Sequence, residues 1–124
     1  MENSKTILIA EDDKFLASAL KVKFEKEGFT VKIAENGDQA EAMVKEQKPS
    51  AMLLDLMMPG KDGFAVLEVI KNDPSLQGFP IIIASNLGQK EDIEKGLALG
   101  ATDYIVKSNI PLSEVVSKIT SLVK

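Results

Sequence analysis

The sequence predicts an α/β domain in which a five-stranded parallel sheet carries helices on both faces. Short aliphatic or β-branched runs alternate five times with segments of helical period, and that alternation calls for right-handed strand–helix–strand crossovers. The first run is β-rich and apolar, as a strand buried on both faces is, the third and fourth are apolar up to a final polar residue, and the second is interrupted by Lys32 and reads as an outer strand. The number and length of the units suit the flavodoxin-like doubly wound (βα)5 order 2-1-3-4-5.

Each element has a local reason. Thr6–Ala10 is a β-rich apolar run that stops at Glu11-Asp12-Asp13. Over residues 14–27, Leu16, Ala19, Leu20 and Phe24 recur at helical spacing, with Asp13 as N-cap and Gly28 as stop. Thr30–Ala34 is the outer strand. Asn36-Gly37 turns the chain into a helix that places Ala40, Met43 and Val44 on one face and closes near Lys48-Pro49. Residues 51–55 form the third strand and end on Asp55. Pro59-Gly60 then turns, and Asp62 caps a helix carrying Phe64, Leu67 and Ile70 as far as Asn72-Asp73-Pro74. Ile81–Ser85 is the fourth strand. Ile93, Leu97 and Ala98 mark the apolar face of a helix ended by Gly100, and residues 102–106 form the fifth strand, with Lys107 after it. Leu112, Val115, Val116, Ile119, Leu122 and Val123 trace the clearest amphipathic helix of the chain.

Composition narrows the chemistry. The 124 residues suit one domain, 1–124, with one compact fold. Cysteine and histidine are both absent, which removes disulfides, thiolate nucleophiles, the usual general base and the usual transition-metal ligands. All fifteen cations are lysines and the formal net charge is -4, a poor basis for nucleic-acid binding by this domain. No stretch reaches the ~18 consecutive apolar residues of a membrane helix, and Met1-Glu2-Asn3-Ser4-Lys5 lacks the apolar core of a secretory signal. The expected compartment is the cytoplasm.

In the order 2-1-3-4-5, strands one and three are neighbours at the switch point, where ligands bind at the carboxyl ends of strands. Glu11, Asp12 and Asp55 therefore converge on one pocket, with Ser85 and Lys107 arriving at the same edge. Three clustered carboxylates repel one another unless a cation sits among them. An oxygen-only donor set without His or Cys points to magnesium. Asp55, a magnesium ion, the Lys107 ammonium and the Ser85 hydroxyl are the parts needed for phosphoryl transfer onto a carboxylate.

With these residues in place the chain resembles a two-component response-regulator receiver domain of the CheY type. The resemblance rests on Glu11-Asp12 after strand one, Asp55 in Leu-Asp-Leu-Met-Met-Pro-Gly-Lys-Asp-Gly, Ser85 ending strand four, and Tyr104 and Lys107 around strand five. It implies that Asp55 accepts a phosphoryl group from the phosphohistidine of a sensor histidine kinase or a histidine phosphotransfer protein. It also implies that Asp12, Asp55 and the backbone carbonyl of Met57 hold Mg2+, with Glu11 binding through water. Lys107 and Ser85 would contact the phosphoryl oxygens, and Ser85 and Tyr104 would move together as a switch. The output face would be the fourth helix, fifth strand and fifth helix, read by a downstream protein target or by an output domain. No nucleic acid and no membrane is implied for this domain, and dimerisation on phosphorylation is left open. Such a domain is a regulatory phosphoacceptor rather than an enzyme.

The sequence departs from the family pattern in places. Ser108 follows Lys107 where the family usually has a proline in a cis bond, and a cis bond costs ~0.5–1 kcal/mol before proline but ~3–4 kcal/mol otherwise. The aim of Lys107 is thus a question for the structure. Asn86 follows Ser85 where a small residue is usual, and Met57 lies beside the acceptor. Three other readings stand beside this one: a receiver used only as a docking scaffold, an aspartyl-phosphate Mg2+ phosphatase, and a flavin-binding domain. Met57 stands where such a phosphatase usually places a second acid, and acids occupy the loop that would meet a flavin phosphate. Taken singly, the acids could be a helix-start cluster, Lys107 a surface lysine, Ser85 a strand-end hydroxyl and Tyr104 a packing residue.

Overall fold

A computed structural model describes residues 5–123; Lys124 and Met1–Ser4, most of the stretch read as lacking a secretory signal, lie outside them. The strands β1 (Thr6–Ala10), β2 (Thr30–Ala34), β3 (Ala51–Leu54), β4 (Ile81–Ser85) and β5 (Asp103–Val106) form one parallel sheet in the order β2-β1-β3-β4-β5. The helices are α1 (Lys14–Lys26), α2 (Gly37–Glu46), α3 (Gly63–Asn72), α4 (Lys90–Ala98) and α5 (Leu112–Val123). The flavodoxin-like expectation is met.

Strand pleat divides the core into two layers, because successive side chains leave a strand on opposite faces. Ile7 and Ile9 of β1, with Ala51 and Leu53 of β3, pack against Leu20 and Phe24 of α1 and Val115, Val116 and Ile119 of α5. Leu8, Ala10, Met52 and Leu54 point the other way, onto Ala40 and Val44 of α2 and Val66, Leu67 and Ile70 of α3. The apolar runs of β1, β3 and β4 are therefore explained by burial on both faces, and β2 sits at an edge with Lys32 only half-buried.

Caps follow the sequence. The Asp13 carboxylate accepts from Phe15 N and Leu16 N, Asn36 from Gln39 N, and Asp62 from Ala65 N, so three helix starts are held by their own side chains. Gly28 ends α1 at φ +95° and Gly100 follows α4 at φ +106°, conformations that favour glycine.

Several boundaries and faces differ from the sequence reading. β3 closes at Leu54, leaving Asp55 just beyond the strand; β5 begins at Asp103 rather than Thr102; and α1 ends at Lys26. Ala17 rather than Ala19 is buried in α1, and Leu122 of α5 is exposed. Short 3₁₀ turns at Pro74–Leu76 and Lys107–Asn109 were not anticipated. The largest correction concerns α4. The expected face of Ile93, Leu97 and Ala98 is not what packs: Leu97 is 45% exposed, and Gly96 is the buried residue of this helix. Glycine lets the helix approach closely, since a Cβ at position 96 would lie 2.5 Å from Ile83 Cδ1 and 3.3 Å from the Tyr104 ring.

Candidate functional site

Register places the acids. Ala10 of β1 pairs with Leu54 of β3, so the next residues, Glu11 and Asp55, leave the sheet side by side; Asp55 N donates to Ala10 O at 2.9 Å. One carboxylate oxygen from each of Glu11, Asp12 and Asp55 lies within 4.8 Å of the others. Glu11 and Asp55 are buried at 4% and 6% exposure, while Asp12 opens to solvent. Ser85 at the end of β4 pairs with Val106 of β5, which puts Lys107 one residue beyond the same edge.

Lys107 bridges the two buried acids. Its Nζ is 2.5 Å from Glu11 Oε1 and 3.3 Å from Asp55 Oδ2. It ion-pairs with both, and the shorter contact is to Glu11. Among the described residues every peptide bond is trans, including the one between Lys107 and Ser108, and the lysine reaches the acids from a 3₁₀ turn. Burial, and next the hydrogen bonds and attraction to Glu11 and Asp55, act on Lys107 in opposite directions, and its pKa is raised, so it stays charged. Burial pushes the Glu11 carboxyl up to about 7, with Asp55 adding repulsion while the Lys107 hydrogen bond and the Asp13 N–H oppose the rise.

The remaining candidates line the rim. Met57 N donates to Asp55 Oδ1 at 3.3 Å, so the chain folds back over the acid immediately after β3, and the Met57 side chain is 58% exposed. Ser85 is fully buried, and its Oγ accepts from Leu87 N at 3.2 Å. Tyr104 is half-buried, and its hydroxyl donates to the Leu87 carbonyl, so Ser85 and Tyr104 hold the same residue from two sides. Burial and the nearby Asp92 charge raise the Tyr104 phenol above its ordinary value.

An oxygen-only cluster of three carboxylates is a donor set suited to a hard divalent cation. A lysine beside it offers a point charge to an anion entering from the Asp12 side.

A family model for the response regulator receiver domain matches residues 7–120. The chain belongs to this family. The receiver domain is 34% identical over 120 residues to the phosphate regulon transcriptional regulatory protein PhoB of Pseudomonas aeruginosa, covering 97% of this chain and 52% of that protein. It is 37% identical over 113 residues to the DNA-binding response regulator MtrA of Mycobacterium tuberculosis, covering 91% and 48%. The receiver domain of the Francisella response regulator 1452 superposes with a TM-score of 0.87 at 29% identity, covering 96% of each chain. The chain spans about half the length of the curated relatives it matches. It is thus a regulatory module of two-component signalling, and among its described residues no helix is long and apolar enough to cross a membrane.

Three features of the receiver domain escaped sequence reasoning. The Lys107–Glu11 contact joins residues 96 positions apart, and nothing local announces it. The Leu87 backbone as the anchor of Tyr104 leaves no side-chain signature. Gly37 was read as a turn residue and Gly63 only as the end of the acceptor motif, yet each sits where a Cβ would strike backbone: the Lys61 carbonyl for Gly37, and Asp55 O at 2.5 Å for Gly63.

Proposed function

We propose that Asp55 is the phosphoacceptor of a signalling switch. A carboxylate oxygen of Asp55 attacks the phosphorus of a phosphohistidine on a sensor histidine kinase or histidine phosphotransfer protein; an O–P bond forms, the P–N bond breaks, and the imidazole leaves. The observation that carries this reading is the convergence of Glu11, Asp12, Asp55 and Lys107 on one pocket at the carboxyl edge of the sheet.

The chain's own residues divide the work. Lys107, already charged and 3.3 Å from Asp55 Oδ2, exchanges its carboxylate partners for a phosphoryl oxygen. Met57 N holds the other oxygen of Asp55 and fixes the plane of the nucleophile. Asp12, Asp55 and the Met57 carbonyl would hold Mg2+, with Glu11 acting through water. A bound magnesium ion supplies neutralisation of the charge shared between the carboxylates and the phosphoryl oxygens. Ser85 turns its hydroxyl from Leu87 N to the phosphoryl group, the Leu87 loop shifts, and Tyr104, bonded to the same loop, follows. The new charge of about -1.5 to -2 is the energy source for this rearrangement. The α4-β5-α5 face carries the change to a protein target or an output domain.

In this reading residues 1–124 work as one receiver domain in the cytoplasm, and they turn over no substrate beyond their own phosphorylation and dephosphorylation. The test is intact mass after incubation with acetyl phosphate and Mg2+, with a metal-free control and Asp55→Asn alongside. Gain of one phosphoryl group that needs both magnesium and Asp55 is expected. Equal labelling of Asp55→Asn would overturn the assignment.

A further inference from the structure

The loop between β3 and α3, residues 55–62, is braced from outside by the first turn of α2. An ideal Cβ on Gly37 would overlap the Lys61 carbonyl oxygen and come within 2.8 Å of Lys61 Cβ, so at this point helix and loop touch backbone to backbone. The brace continues along the same helix face. A Cβ on Gly60, where φ is +73°, would lie 3.4 Å from Asp38 Oδ2, and Lys61 Nζ is ion-paired with Glu41. The other end of the loop is closed by Gly63, whose N–H donates to Leu56 O at 3.1 Å. Between these two fastenings lies Met57, whose N–H contacts the Asp55 carboxylate.

We propose that Gly37 is a positioning residue for the phosphorylation site: by letting α2 seat against Lys61, it sets the path of the loop and so the place of the Met57 backbone beside Asp55. The proposal rests on the reading of Asp55 as acceptor and Met57 as a backbone ligand, and it extends the site to a helix that contributes no group to the pocket. Gly37 opens α2 without a positive φ, so its backbone conformation does not itself require glycine. Close backbone approach is the physical reason for glycine here. Any side chain at 37 drives the Lys61 peptide away by roughly 1 Å or more, a misplacement that can cost on the order of 10²-fold in rate when it reaches reacting groups. Residues that orient a metal's ligands typically alter affinity about 10- to 100-fold when changed.

The experiment compares Gly37→Ala with the parent and with Ile119→Val, which loosens the opposite core layer and controls for stability loss alone. Backbone-amide NMR without metal reads the Met57 signal, a Mg2+ titration of the folded species reads Kd, and intact mass reads acetyl-phosphate labelling. Expected for Gly37→Ala are a displaced Met57 amide signal, a Kd raised about 10-fold or more, and labelling slowed at least as much, with Ile119→Val matching the parent. A Mg2+ Kd within about twofold of the parent, with the Met57 signal in place, overturns the proposal. If Gly37→Ala does not fold, the double variant Asp38→Asn/Glu41→Gln loosens the brace without added bulk, and Glu25→Gln/Glu46→Gln, two exposed acids near the far ends of α1 and α2, controls for the two lost charges. A larger loss of Mg2+ affinity in the first double variant than in that control supports the brace, and equal losses overturn it. Failure of the parent to label at Asp55 would strike the acceptor reading alone, because the Met57 signal and the Mg2+ titration do not depend on phosphorylation.

Discussion

Neutralising Glu11 should change how stability depends on pH, and the structure sets both sign and size. The carboxyl is raised from 4.5 to about 7 in the folded chain, chiefly by burial, with Asp55 adding repulsion. A raised acid favours the folded state while it is protonated. Its contribution is therefore fully present below about pH 4.5 and is lost as pH rises through about 7. At 1.36 kcal/mol per pH unit, that interval corresponds to roughly 3 kcal/mol. The assay is urea unfolding of the parent and Glu11→Gln across this range, in chelator so that no cation occupies the cluster. The quantity to follow is the difference between the two proteins, which cancels contributions that do not involve Glu11. Relative to Glu11→Gln, the parent should lose about 3 kcal/mol between pH 4.5 and pH 8, with unchanged m-values. Parallel curves would refute the reasoning: they would mean that the Lys107 contact at 2.5 Å holds Glu11 ionised throughout.

Other outcomes follow from single contacts. Lys107→Met leaves Glu11 and Asp55 buried without their cation and should cost about 3 kcal/mol in chelator by urea unfolding, with added Mg2+ restoring most of it. Asp13→Ala removes the acceptor for Phe15 N and Leu16 N and should lower stability by ~1 kcal/mol; an unchanged urea midpoint would show that water caps α1 equally well. Gly96→Ala gains about 1 kcal/mol of helix propensity but forces Ile83 and the Tyr104 ring aside, so a net loss of about 1 kcal/mol and shifted Tyr104 ring resonances are expected. A stabilised Gly96→Ala protein would show that Ile83 Cδ1 swings clear at no cost.

Much of the fold was legible because strong local signals agreed with one another. The largely apolar runs of β1, β3 and β4 suit strands buried on both faces, and Asp13, Asn36 and Asp62 mark helix starts through hydrogen bonds that span two or three residues. Helix α4 was misread for the opposite reason. Apolar periodicity assumes that a helix docks through side chains, whereas α4 docks through the absence of one at Gly96, leaving Leu97 in water. The 3₁₀ turn at Lys107–Asn109 likewise has no apolar period to announce it.

At the site, residue types alone determined that Glu11, Asp12, Asp55, Ser85 and Lys107 meet at one edge, because a parallel sheet with this strand order leaves the ends of β1, β3, β4 and β5 no other place. Which acid Lys107 touches most closely, that Glu11 is buried while Asp12 is open, and that Leu87 joins Ser85 to Tyr104 were decided by tertiary structure. The same holds for the brace between Gly37 and Lys61. Strand identity and capping are encoded over a few neighbouring residues and can be read along the chain. Ion pairing and backbone approach depend on distances of a few ångströms between segments far apart in sequence, and only the packed core sets those distances.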